Sequence, residues 1–430
     1  MPEKNAGTAP AADSQRADKL RVAVIGVGGM GHYAVSTGLT EHIAAVCDVD
    51  DAMMAKGLKQ IAETQKRAPK VFTDYRKLLE SCAGEIDVAL ISTPDHQHAP
   101  AAMRAIDIGK AVFCQKPLAH NIYECYRLAE AARAKGVVTQ MGNQGHCGEP
   151  VRRACEILWS GAIGNVKETY TVLGRNFGGV GGRRKAKPVP AGVHWDEWIG
   201  PAAFREYHDD LHPFGWRSYR PFGTGTIGDM ACDNLDALFW ALKIADADSM
   251  TVECLASTGG SEQLFPQNNV VQYRVPARGE MPALTATVYD HNGIQPEIVT
   301  DAEKKYGFEF GEGTLFVGDK GLMWTASPGG DVKLLPLSRN AEVKQIKRTL
   351  PRAHGEPIED MFYALKHGTK SCSDFADSAG PLTAFALLGH LAQNVGVGKR
   401  LEWDVRAMRC TNSPEADRLV RRRYRSGWEV

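Results

Sequence analysis

The sequence predicts an α/β protein with two domains: an N-terminal doubly wound parallel sheet and a C-terminal α+β domain with a large, mostly antiparallel open sheet. Short apolar segments alternate with amphipathic helices over residues 19–142, a pattern typical of a parallel sheet covered on both faces. Segments that alternate apolar and polar residues dominate afterwards, which favours antiparallel strands with one exposed face. A chain of 430 residues also exceeds one ordinary core.

The first domain is predicted over residues 19–142, after a disordered tail at residues 1–18 that is rich in Ala, Pro and charge. Each predicted strand is short, apolar and followed by a turn or a helix. The strands are predicted at residues 21–25, 43–47, 70–72, 88–92, 111–114 and 137–140, and the helices at 30–38, 52–64, 75–79, 99–108 and 122–134.

The second domain, residues 143–430, is predicted to bind substrate and to form contacts between subunits. A long irregular segment over residues 174–228 is rich in Gly, Pro, Trp and Arg, and unstructured stretches of that length are usually functional. The regular elements around it are predicted as helices at residues 150–160, 229–243, 359–367 and 382–395 and strands at 166–173, 270–274 and 284–289.

Composition excludes several classes of protein. The formal net charge is zero, which gives no basis for electrostatic binding to nucleic acid or a membrane surface, and the arginine run 421–423 is expected to be solvated or in a subunit contact. No apolar stretch is long enough for a transmembrane helix. The ten cysteines include no CxxC pair, so we expect a reduced, metal-free, cytoplasmic protein.

A glycine-rich turn follows the first predicted strand directly and opens a helix. Its pattern is GxGxxG, in which the first glycine permits the tight turn, the second admits a pyrophosphate and the third lets helix pack on strand. This pattern at a strand–helix junction predicts a dinucleotide-binding (Rossmann) domain. The cofactor contacts expected here come from Gly26, Gly28, Gly29, Met30 and Gly31.

Asp48 ends the second strand, twenty residues after Gly28. An acidic residue at this position accepts hydrogen bonds from the adenosine ribose hydroxyls and repels a 2′-phosphate. The residues that follow, Val49, Asp50 and Asp51, include no cation that would hold such a phosphate. The predicted cofactor is therefore NAD, and the alternative is that Asp48 only caps a helix.

Lys116 leaves the fifth strand in the segment Gln115-Lys116-Pro117. Ligands of open α/β sheets bind beyond the carboxyl ends of the strands, where a lysine can bind a substrate hydroxyl and stabilise developing alkoxide charge. The proline restricts the backbone of Lys116 to an extended conformation. Lys116 is accordingly a predicted catalytic residue, against the alternative of a solvated lysine.

At this point the sequence resembles the Gfo/Idh/MocA family, the group of glucose–fructose oxidoreductase and inositol dehydrogenase. The resemblance is carried by the glycine turn, by Thr93-Pro94, by Gln115-Lys116-Pro117 in place of the family's EKP motif, and by the segments at 142–146 and 228–230. It implies a two-domain NAD(P) enzyme acting on sugars or cyclitols, with homo-oligomers (dimers or tetramers) formed through the C-terminal sheet, and maps the family's catalytic lysine onto Lys116.

The family's second signature, an Asp followed four residues later by a His on one helix, is altered. Asp229 matches the Asp, but Asp233 stands at the His position. Asp229, Asp233 and Asp236 would share one face of a continuous helix, where mutual repulsion can raise the pKa of one carboxylate and make it a base. Alternatively, Asp233 pairs with an arginine such as Arg217. No metal is expected, because hydride transfer needs none.

The remaining candidates are assigned by position and resemblance. Further cofactor contacts are expected from Thr93, Pro94, His96, His98, Gln115, Lys116 and Asn143. Substrate contacts are expected from Lys116, His146, Arg175, Trp216, Arg217, Asp229 and Asp233. The tryptophans at 195 and 198 either stack on a sugar or anchor the long segment.

The predicted function is hydride transfer between nicotinamide C4 and a secondary hydroxyl of a sugar, sugar derivative or cyclitol, with Lys116, Asp229 and Asp233 managing the hydroxyl proton. One alternative is a glycoside-cleaving enzyme that retains NAD and works by transient oxidation and elimination. Another is a non-catalytic, NAD-dependent sugar-binding protein, since the family's histidine is missing.

Overall fold

Two sheets, one of six strands and one of nine, organise the protein in the computed structural model, which describes residues 19–181, 184–290, 295–307 and 309–430. The tail expected at residues 1–18 lies outside the described residues. The predicted α/β class, with a parallel first sheet and a mostly antiparallel second sheet, is confirmed. Within the described ranges, no helix has the length and apolar character needed to cross a membrane.

The first sheet is entirely parallel. Its strands are β1 (Arg21–Ile25), β2 (His42–Cys47), β3 (Lys70–Phe72), β4 (Val88–Ile91), β5 (Ala111–Cys114) and β6 (Thr139–Met141). They are ordered β3-β2-β1-β4-β5-β6. Because the strand order reverses between β1 and β4, a crevice opens there at the carboxyl ends, which is where such sheets bind ligands.

Helices cover both faces of this sheet. They are α1 (Gly31–Gly38), α2 (Asp51–Thr64), α3 (Tyr75–Cys82), α4 (Asp95–Asp107) and α5 (Ile122–Lys135). The prediction for α4 was wrong at its start, because the helix begins at Asp95 rather than at 99. Pro94, with φ −60° and ψ 152°, is the extended residue that precedes it. Residues 95–98 therefore form a helical turn and not a loop.

The second sheet is mixed and mostly antiparallel. Its strands are β7 (Val166–Val172), β8 (Ser249–Thr258), β9 (Asn268–Val275), β10 (Leu284–Tyr289), β11 (Gly313–Gly318), β12 (Gly321–Ala326), β13 (Val332–Leu335), β14 (Arg400–Asp404) and β15 (Arg409–Cys410). Their order is β13-β12-β11-β7-β10-β9-β8-β14-β15. Among the described strands of this sheet, β7 and β10 form the one parallel pair.

Short and long helices complete the second region. They are α6 (Gln144–Cys147), α7 (Glu149–Trp159), α8 (Trp195–Ile199), α9 (Gly225–Asn234), α10 (Asp236–Ala241), α11 (Glu297–Tyr306), α12 (Asn340–Val343), α13 (Pro357–His367), α14 (Gly380–Val395) and α15 (Pro414–Leu419), with 3₁₀ turns at Gly215–Ser218, Ile244–Asp246 and Leu337–Arg339 and a π turn at Phe375–Ala379. Buried α14 packs against α5, α9 and β8, so it joins the two regions.

The single helix predicted over residues 229–243 is wrong. Leu235 ends α9 and begins α10. The buried hydroxyl of Thr314 donates a hydrogen bond to the carbonyl of Asn234 at 3.1 Å, and the amide of Asn234 donates to Glu312 at 3.0 Å. We attribute the break to the bond from Thr314 on β11, because it engages the main-chain carbonyl at the junction. The carboxylates before and after Leu235 consequently belong to different helices.

The end of the chain returns to the first domain. Trp428 is 2% exposed and packs under the guanidinium of Arg76 at 3.6 Å from the ring centre. Arg422 pairs with fully buried Glu124 at 2.7 Å. The expectation that residues 421–423 are solvated or in a subunit contact is therefore wrong for Arg422. Its cation satisfies a buried carboxylate, which would otherwise be costly.

Candidate active site

The glycine turn between β1 and α1 has no room for side chains where it packs against Ser92, the residue after β4. Gly26 has φ +84°, and a Cβ there would lie 2.7 Å from the carbonyl oxygen of Ser92. A Cβ on Gly31 would overlap the carbonyl of Gly26. Gly29, at φ +51°, has open space around its Cβ position. The turn is thus packed tightly on the protein side and open on the solvent side.

Asp48 at the end of β2 is bound to this turn. Its Oδ2 accepts hydrogen bonds from the main-chain N–H of Val27 at 2.8 Å and of Gly28 at 3.3 Å. Burial raises the pKa of the Asp48 carboxyl, and the hydrogen bonds from Val27, Asp50 and Gly28 oppose that rise. The carboxylate therefore fixes the turn as well as presenting negative charge beside it.

The residues of the crevice fit a dinucleotide. Gly29 and Met30 are exposed at the start of α1, where a helix N-terminus favours phosphate. Across the turn, the hydroxyls of Ser92 and Thr93 are buried, and neither has a hydrogen-bond partner among the described residues. Unpaired buried hydroxyls are costly and call for a partner. A bound cofactor with polar groups would supply one.

His96 and His98 lie behind the crevice. The ring of His96 is fully buried, with Nε2 2.9 Å from the carbonyl oxygen of Trp198. Both ring nitrogens of His98 lie 2.7 Å from carbonyl oxygens, those of Pro117 and Thr93. The expectation that these rings contact the cofactor is corrected, because α4 begins at Asp95 and turns them inward. His98 positions the Thr93 and Pro117 turns instead, and His96 bonds the carbonyl of Trp198.

Lys116, after β5, lies against α9. Its Nζ donates to the carbonyl of Asp229 at 2.8 Å and lies 3.2 Å from Asp229 Oδ2 and 3.4 Å from Asp233 Oδ2. Residues four apart on a helix face the same side, so α9 presents both carboxylates to the one ammonium group. Lys116 keeps 22% of its side chain exposed, against 8% for each carboxylate. Lys116 is thus the most exposed of these three side chains.

The charge states within this cluster are shifted. Burial disfavours the charged form of Lys116, but Asp229 and Asp233 outweigh it and raise the pKa of the lysine above its ordinary value. Burial, together with the charges of Asp229 and Asp236, raises the pKa of Asp233 to about 6, although Lys116 opposes that rise. At neutral pH the lysine is therefore an ammonium group, and Asp233 is an ionised carboxylate that titrates close to neutrality.

Asp95 is a site residue that the sequence interpretation missed. It is 2% exposed, and its Oδ2 accepts a hydrogen bond from Thr224 at 2.7 Å. Burial and the charge of Asp229 raise the pKa of Asp95 to about 7. The signal was present in the segment Thr93-Pro94-Asp95, since an acidic residue after an extended proline is typical of a helix start at the carboxyl edge.

Arg217 joins the cluster as predicted for a neighbouring arginine, but its partner is Asp229 rather than Asp233. Its Nε lies 3.5 Å from Asp229 Oδ1. The guanidinium lies 4.2 Å from the ring centre of Trp216 and 4.4 Å from that of Phe214. Trp216 is 5% exposed and donates its indole N–H to the carbonyl of Pro213, so it supports Arg217, and its contact with substrate stays a prediction.

His146 and Asp236 form a separate buried pair. His146 Nδ1 lies 2.7 Å from Asp236 Oδ1, and its ring stacks on Trp240. Burial lowers the pKa of His146, but Asp236 outweighs burial and raises it overall. At 4% exposure, His146 is enclosed by this pair, and its contact with substrate stays a prediction. Asp236 likewise does not complete a three-carboxylate face, because it follows the break between α9 and α10.

The other predicted site residues differ in how deeply they are buried. Asn143 is fully buried and accepts a hydrogen bond from Ser373 at 2.7 Å. Gln115 packs against Gly142, where a Cβ would lie 2.7 Å from its Oε1. Arg175 is exposed beyond β7. Contacts from these residues to cofactor or substrate stay predictions.

Part of the long irregular segment crosses to the residues that follow Asp48. His212 Nε2 lies 2.7 Å from Asp50 Oδ2, and His194 Nε2 lies 3.0 Å from Asp51 Oδ1. We call these two pairs the clasp. Trp195 and Trp198, at 7% and 2% exposure, stack on each other with ring centres 4.6 Å apart. Of the two roles considered for the tryptophans, the structure therefore favours anchoring.

Taken together, a doubly wound parallel sheet with this glycine turn, and a lysine held between two carboxylates at its carboxyl edge, defines an NAD-binding oxidoreductase. The chain belongs to the Gfo/Idh/MocA oxidoreductase family. Residues 20–143 match the model of its NAD-binding Rossmann fold, and residues 166–272 match the model of its C-terminal alpha/beta domain. The resemblance inferred from the sequence motifs is confirmed.

Similar proteins include carbohydrate-active members. A glycosyl hydrolase family 109 protein of Shewanella sp. (strain W3-18-1) is 34% identical over 122 residues, which is 27% of this chain and 26% of that relative. The match thus spans about a quarter of the relative's length.

Solved structures share the fold along most of the chain. The aldose-aldose oxidoreductase of Caulobacter crescentus has a TM-score of 0.55 at 16% identity, covering 89% of this chain and 99% of that one. A levoglucosan dehydrogenase in complex with NADH and L-sorbose has a TM-score of 0.56 at 15% identity, covering 90% and 99%. At these identities the likeness shows the fold alone.

Proposed function

We propose that this protein oxidises and reduces a secondary hydroxyl of a sugar, sugar derivative or cyclitol, with NAD as the redox partner. The observation that carries the proposal is the position of Lys116, between Asp229 and Asp233 at the carboxyl edge of the parallel sheet. A charged donor beside a buried carboxylate is what a hydroxyl needs to lose its proton while its oxygen gains negative charge. Neighbours of the same fold that act on sugars support the substrate class.

Asp233 is the proposed proton acceptor. Its pKa of about 6 makes it ionised at neutral pH yet basic enough to accept a proton. The raised pKa of Lys116 excludes it as a base at that pH, since it already carries its proton. Asp233 in this way takes the place of the family's histidine.

Lys116 is the proposed donor to the substrate oxygen, and Asp229 and Arg217 position it. Asp229 binds the Lys116 ammonium on one side and Arg217 on the other, so the lysine side chain is held in one direction. Asp95, Asp229 and Asp233 bring three carboxylates against two cations, and burial, together with the charge of Asp229, raises the pKa of Asp95 to about 7. Asp95 can therefore hold a proton close to the site at neutral pH.

Bound NAD supplies the hydride acceptor, at nicotinamide C4. We propose that Gly29, Met30 and Asp48 bind its pyrophosphate and adenosine ribose, and that Thr93, Pro94 and Gln115 line the way to Lys116. The exposed glycine turn and the unpaired hydroxyl of Thr93 support this assignment.

The proposal is tested by incubating the purified protein with NAD and a panel of aldoses, sugar acids and cyclitols while NADH absorbance is recorded. We expect NADH to form with at least one polyol, and K116A to abolish this while binding NAD with nearly unchanged affinity. Turnover by K116A at the wild-type rate would remove Lys116 from the mechanism.

A second candidate is cleavage of a glycoside with retained NAD, in which transient oxidation acidifies a neighbouring C–H and permits elimination. Two observations favour it. The curated relative is a glycosyl hydrolase family 109 protein, and the clasp ties the long segment to Asp50 and Asp51, just beyond the residue that we assign to the adenosine ribose. A covered adenosine would slow cofactor release.

The two candidates differ in what they release. A glycoside-cleaving enzyme would free p-nitrophenol from a p-nitrophenyl glycoside with no net NADH, and NAD would co-purify with it. A dehydrogenase would form NADH in proportion to product. Binding of sugar by calorimetry without either product would instead indicate the non-catalytic alternative.

We further propose that copies of the chain associate through the open face of the nine-stranded sheet. In β9, Val271, Tyr273 and Val275 are buried while the residues between them face outward, and Leu255 on neighbouring β8 is 41% exposed. Light scattering coupled to size exclusion should give a multiple of the chain mass, and an L255E variant should lower it.

A further inference from the structure

Two cysteines on distant parts of the chain are in direct contact. Cys147 ends α6 and Cys372 lies between α13 and the π turn, and their sulfur atoms are 2.6 Å apart. Both are partly exposed, whereas the other eight cysteines are buried. A small oxidant in solvent can therefore reach this pair in preference to the rest.

We propose that Cys147 and Cys372 are a covalent modification site, at which a reversible intramolecular disulfide forms. The bond would join the turn that leads out of β6 to the segment that follows α13.

The surroundings divide the two thiols into a nucleophile and a proton-bearing partner. The hydrogen bond from Cys147, aided by nearby His146, lowers the pKa of Cys372 despite its burial. The same hydrogen bond and burial raise the pKa of Cys147. The side-chain Nε2 of Gln140 lies 3.7 Å from each sulfur and donates toward both. Thiolates, rather than thiols, attack disulfides, so Cys372 is the attacking residue.

The oxidant is a small disulfide such as oxidised glutathione. The Cys372 thiolate attacks one of its sulfurs, a mixed disulfide forms and one glutathione thiolate leaves. Cys147 then gives up its proton and attacks the Cys372 sulfur, which releases the second glutathione. Two protein thiols are oxidised by two electrons in all, and one oxidised glutathione becomes two reduced molecules.

The modification would restrain the junction between the two sheets. Ser373, next to Cys372, donates from its hydroxyl to Asn143 at 2.7 Å and from its N–H to Gln140 at 3.1 Å. Met141 at the end of β6 also donates to the Ser373 carbonyl at 2.9 Å. A disulfide adds a covalent link to this set of hydrogen bonds. It also lowers the conformational entropy of the unfolded chain. The oxidised protein should therefore unfold at a higher temperature.

The test equilibrates the full chain in glutathione buffers of rising oxidised fraction, alkylates free thiols under denaturing conditions and counts them by mass spectrometry. We expect the oxidised protein to show two fewer alkylated cysteines, one peptide linking Cys147 to Cys372 and a higher Tm, all reversed by dithiothreitol. C147S and C372S should each lose the cross-link and the rise in Tm. The control variant C155S, which replaces a buried cysteine on α7, should retain the cross-link and the rise in Tm.

Several outcomes would overturn the proposal. They are full alkylation at every glutathione ratio, a cross-link between other cysteines, or a glutathione adduct at Cys372 that C147S does not change. Asp360 lies within metal-binding reach of both sulfurs, so zinc bound to the purified protein and lost in both serine variants would also overturn it. If C147S fails to fold, C372S and the wild-type cross-link decide the outcome.

Discussion

The ammonium nitrogen of Lys116 lies 3.4 Å from Oδ2 of Asp233, the residue that stands where the family's histidine is expected. The contact assigns different tasks to the two groups. The carboxylate keeps the lysine protonated, while burial keeps the carboxylate basic, with a pKa of about 6. A donor and an acceptor therefore coexist at neutral pH within one small cluster, which neither residue would provide alone.

Replacing Asp233 by Asn should remove the proton acceptor and preserve the shape of the site. We expect kcat/KM to fall by about 10²- to 10⁴-fold, the usual contribution of general base catalysis. The wild-type profile of kcat/KM should fall as pH drops through about 6, because Asp233 then gains a proton. That acid limb should vanish in D233N. The control variant D331N, which replaces an exposed carboxylate on the hairpin after β12, should keep the wild-type pH profile. If D233N retains the acid limb, that limb belongs to another group.

The variants K116R and K116M should separate charge from shape at the donor. K116R retains a cation between Asp229 and Asp233 but changes its geometry, so partial activity is expected. K116M removes the cation between Asp229 and Asp233, so Asp233 loses the charge that opposes the rise in its pKa, and turnover should be abolished. Steady-state kinetics and NAD binding by fluorescence measure both effects. Equal activity in K116M and K116R would contradict a role for the charge.

Asp48 should give a preference for NAD over NADP, because its carboxylate repels a 2′-phosphate. D48N removes the charge but retains an acceptor oxygen for the N–H groups of Val27 and Gly28, so it should narrow the preference with modest loss of NAD affinity. D48A also frees those N–H groups and should bind NAD more weakly than D48N. Kinetics with both cofactors measure this, and a wild-type preference for NADP would overturn the assignment.

The His146–Asp236 pair should make stability depend on pH. Asp236 raises the folded-state pKa of His146, so the pair's stabilisation is complete below the unfolded pKa, about 6.5, and is lost as pH rises through the folded value. D236N should therefore cost about 2 kcal/mol of unfolding free energy at low pH and less at high pH. Urea unfolding at several pH values measures this. A loss that is equal at every pH would contradict the charged pair.

Trp428 should anchor the end of the chain. It is 2% exposed beneath Arg76 and beside Tyr75, and truncating a buried tryptophan usually costs about 3–5 kcal/mol. W428A should therefore lower the unfolding free energy strongly. F204A, which truncates a ring that is 65% exposed, should change it little. Similar losses in both variants would show that the final residues do not pack as described.

The first sheet was predictable because its signals are local. The central strands β1, β4 and β5 are runs of mostly buried apolar residues, and the glycine turn is defined by three positions along one segment. The break at Leu235 was not predictable, since Thr314 and Glu312, which bond Asn234 there, lie on or beside a strand far along the chain. The start of α4 was missed for a different reason, because Pro94 obscured the helical turn behind it.

The same distinction between local signals and contacts from distant parts of the chain applies to the candidate site. Motif position and helical spacing both pointed to Lys116, Asp229 and Asp233, and these three side chains lie together in the structure. His146, Trp216, His96 and His98 were placed at the site by their proximity in sequence, but the fold turned each toward a buried partner. The segment Pro94-Asp95 signals a helix start, but the neighbours that bring Asp95 into the cluster, Thr224 and Asp229, come from a distant part of the chain.

By itself, the sequence determined the class of fold, the glycine turn, the acidic end of β2 and the lysine after β5, because periodicity and turn chemistry act between near neighbours. Only the tertiary structure decided which carboxylate pairs with which cation, which histidines are enclosed and which two cysteines meet. Those outcomes depend on side chains far apart in the chain and on the burial that packing imposes, and burial is what shifts their charge states.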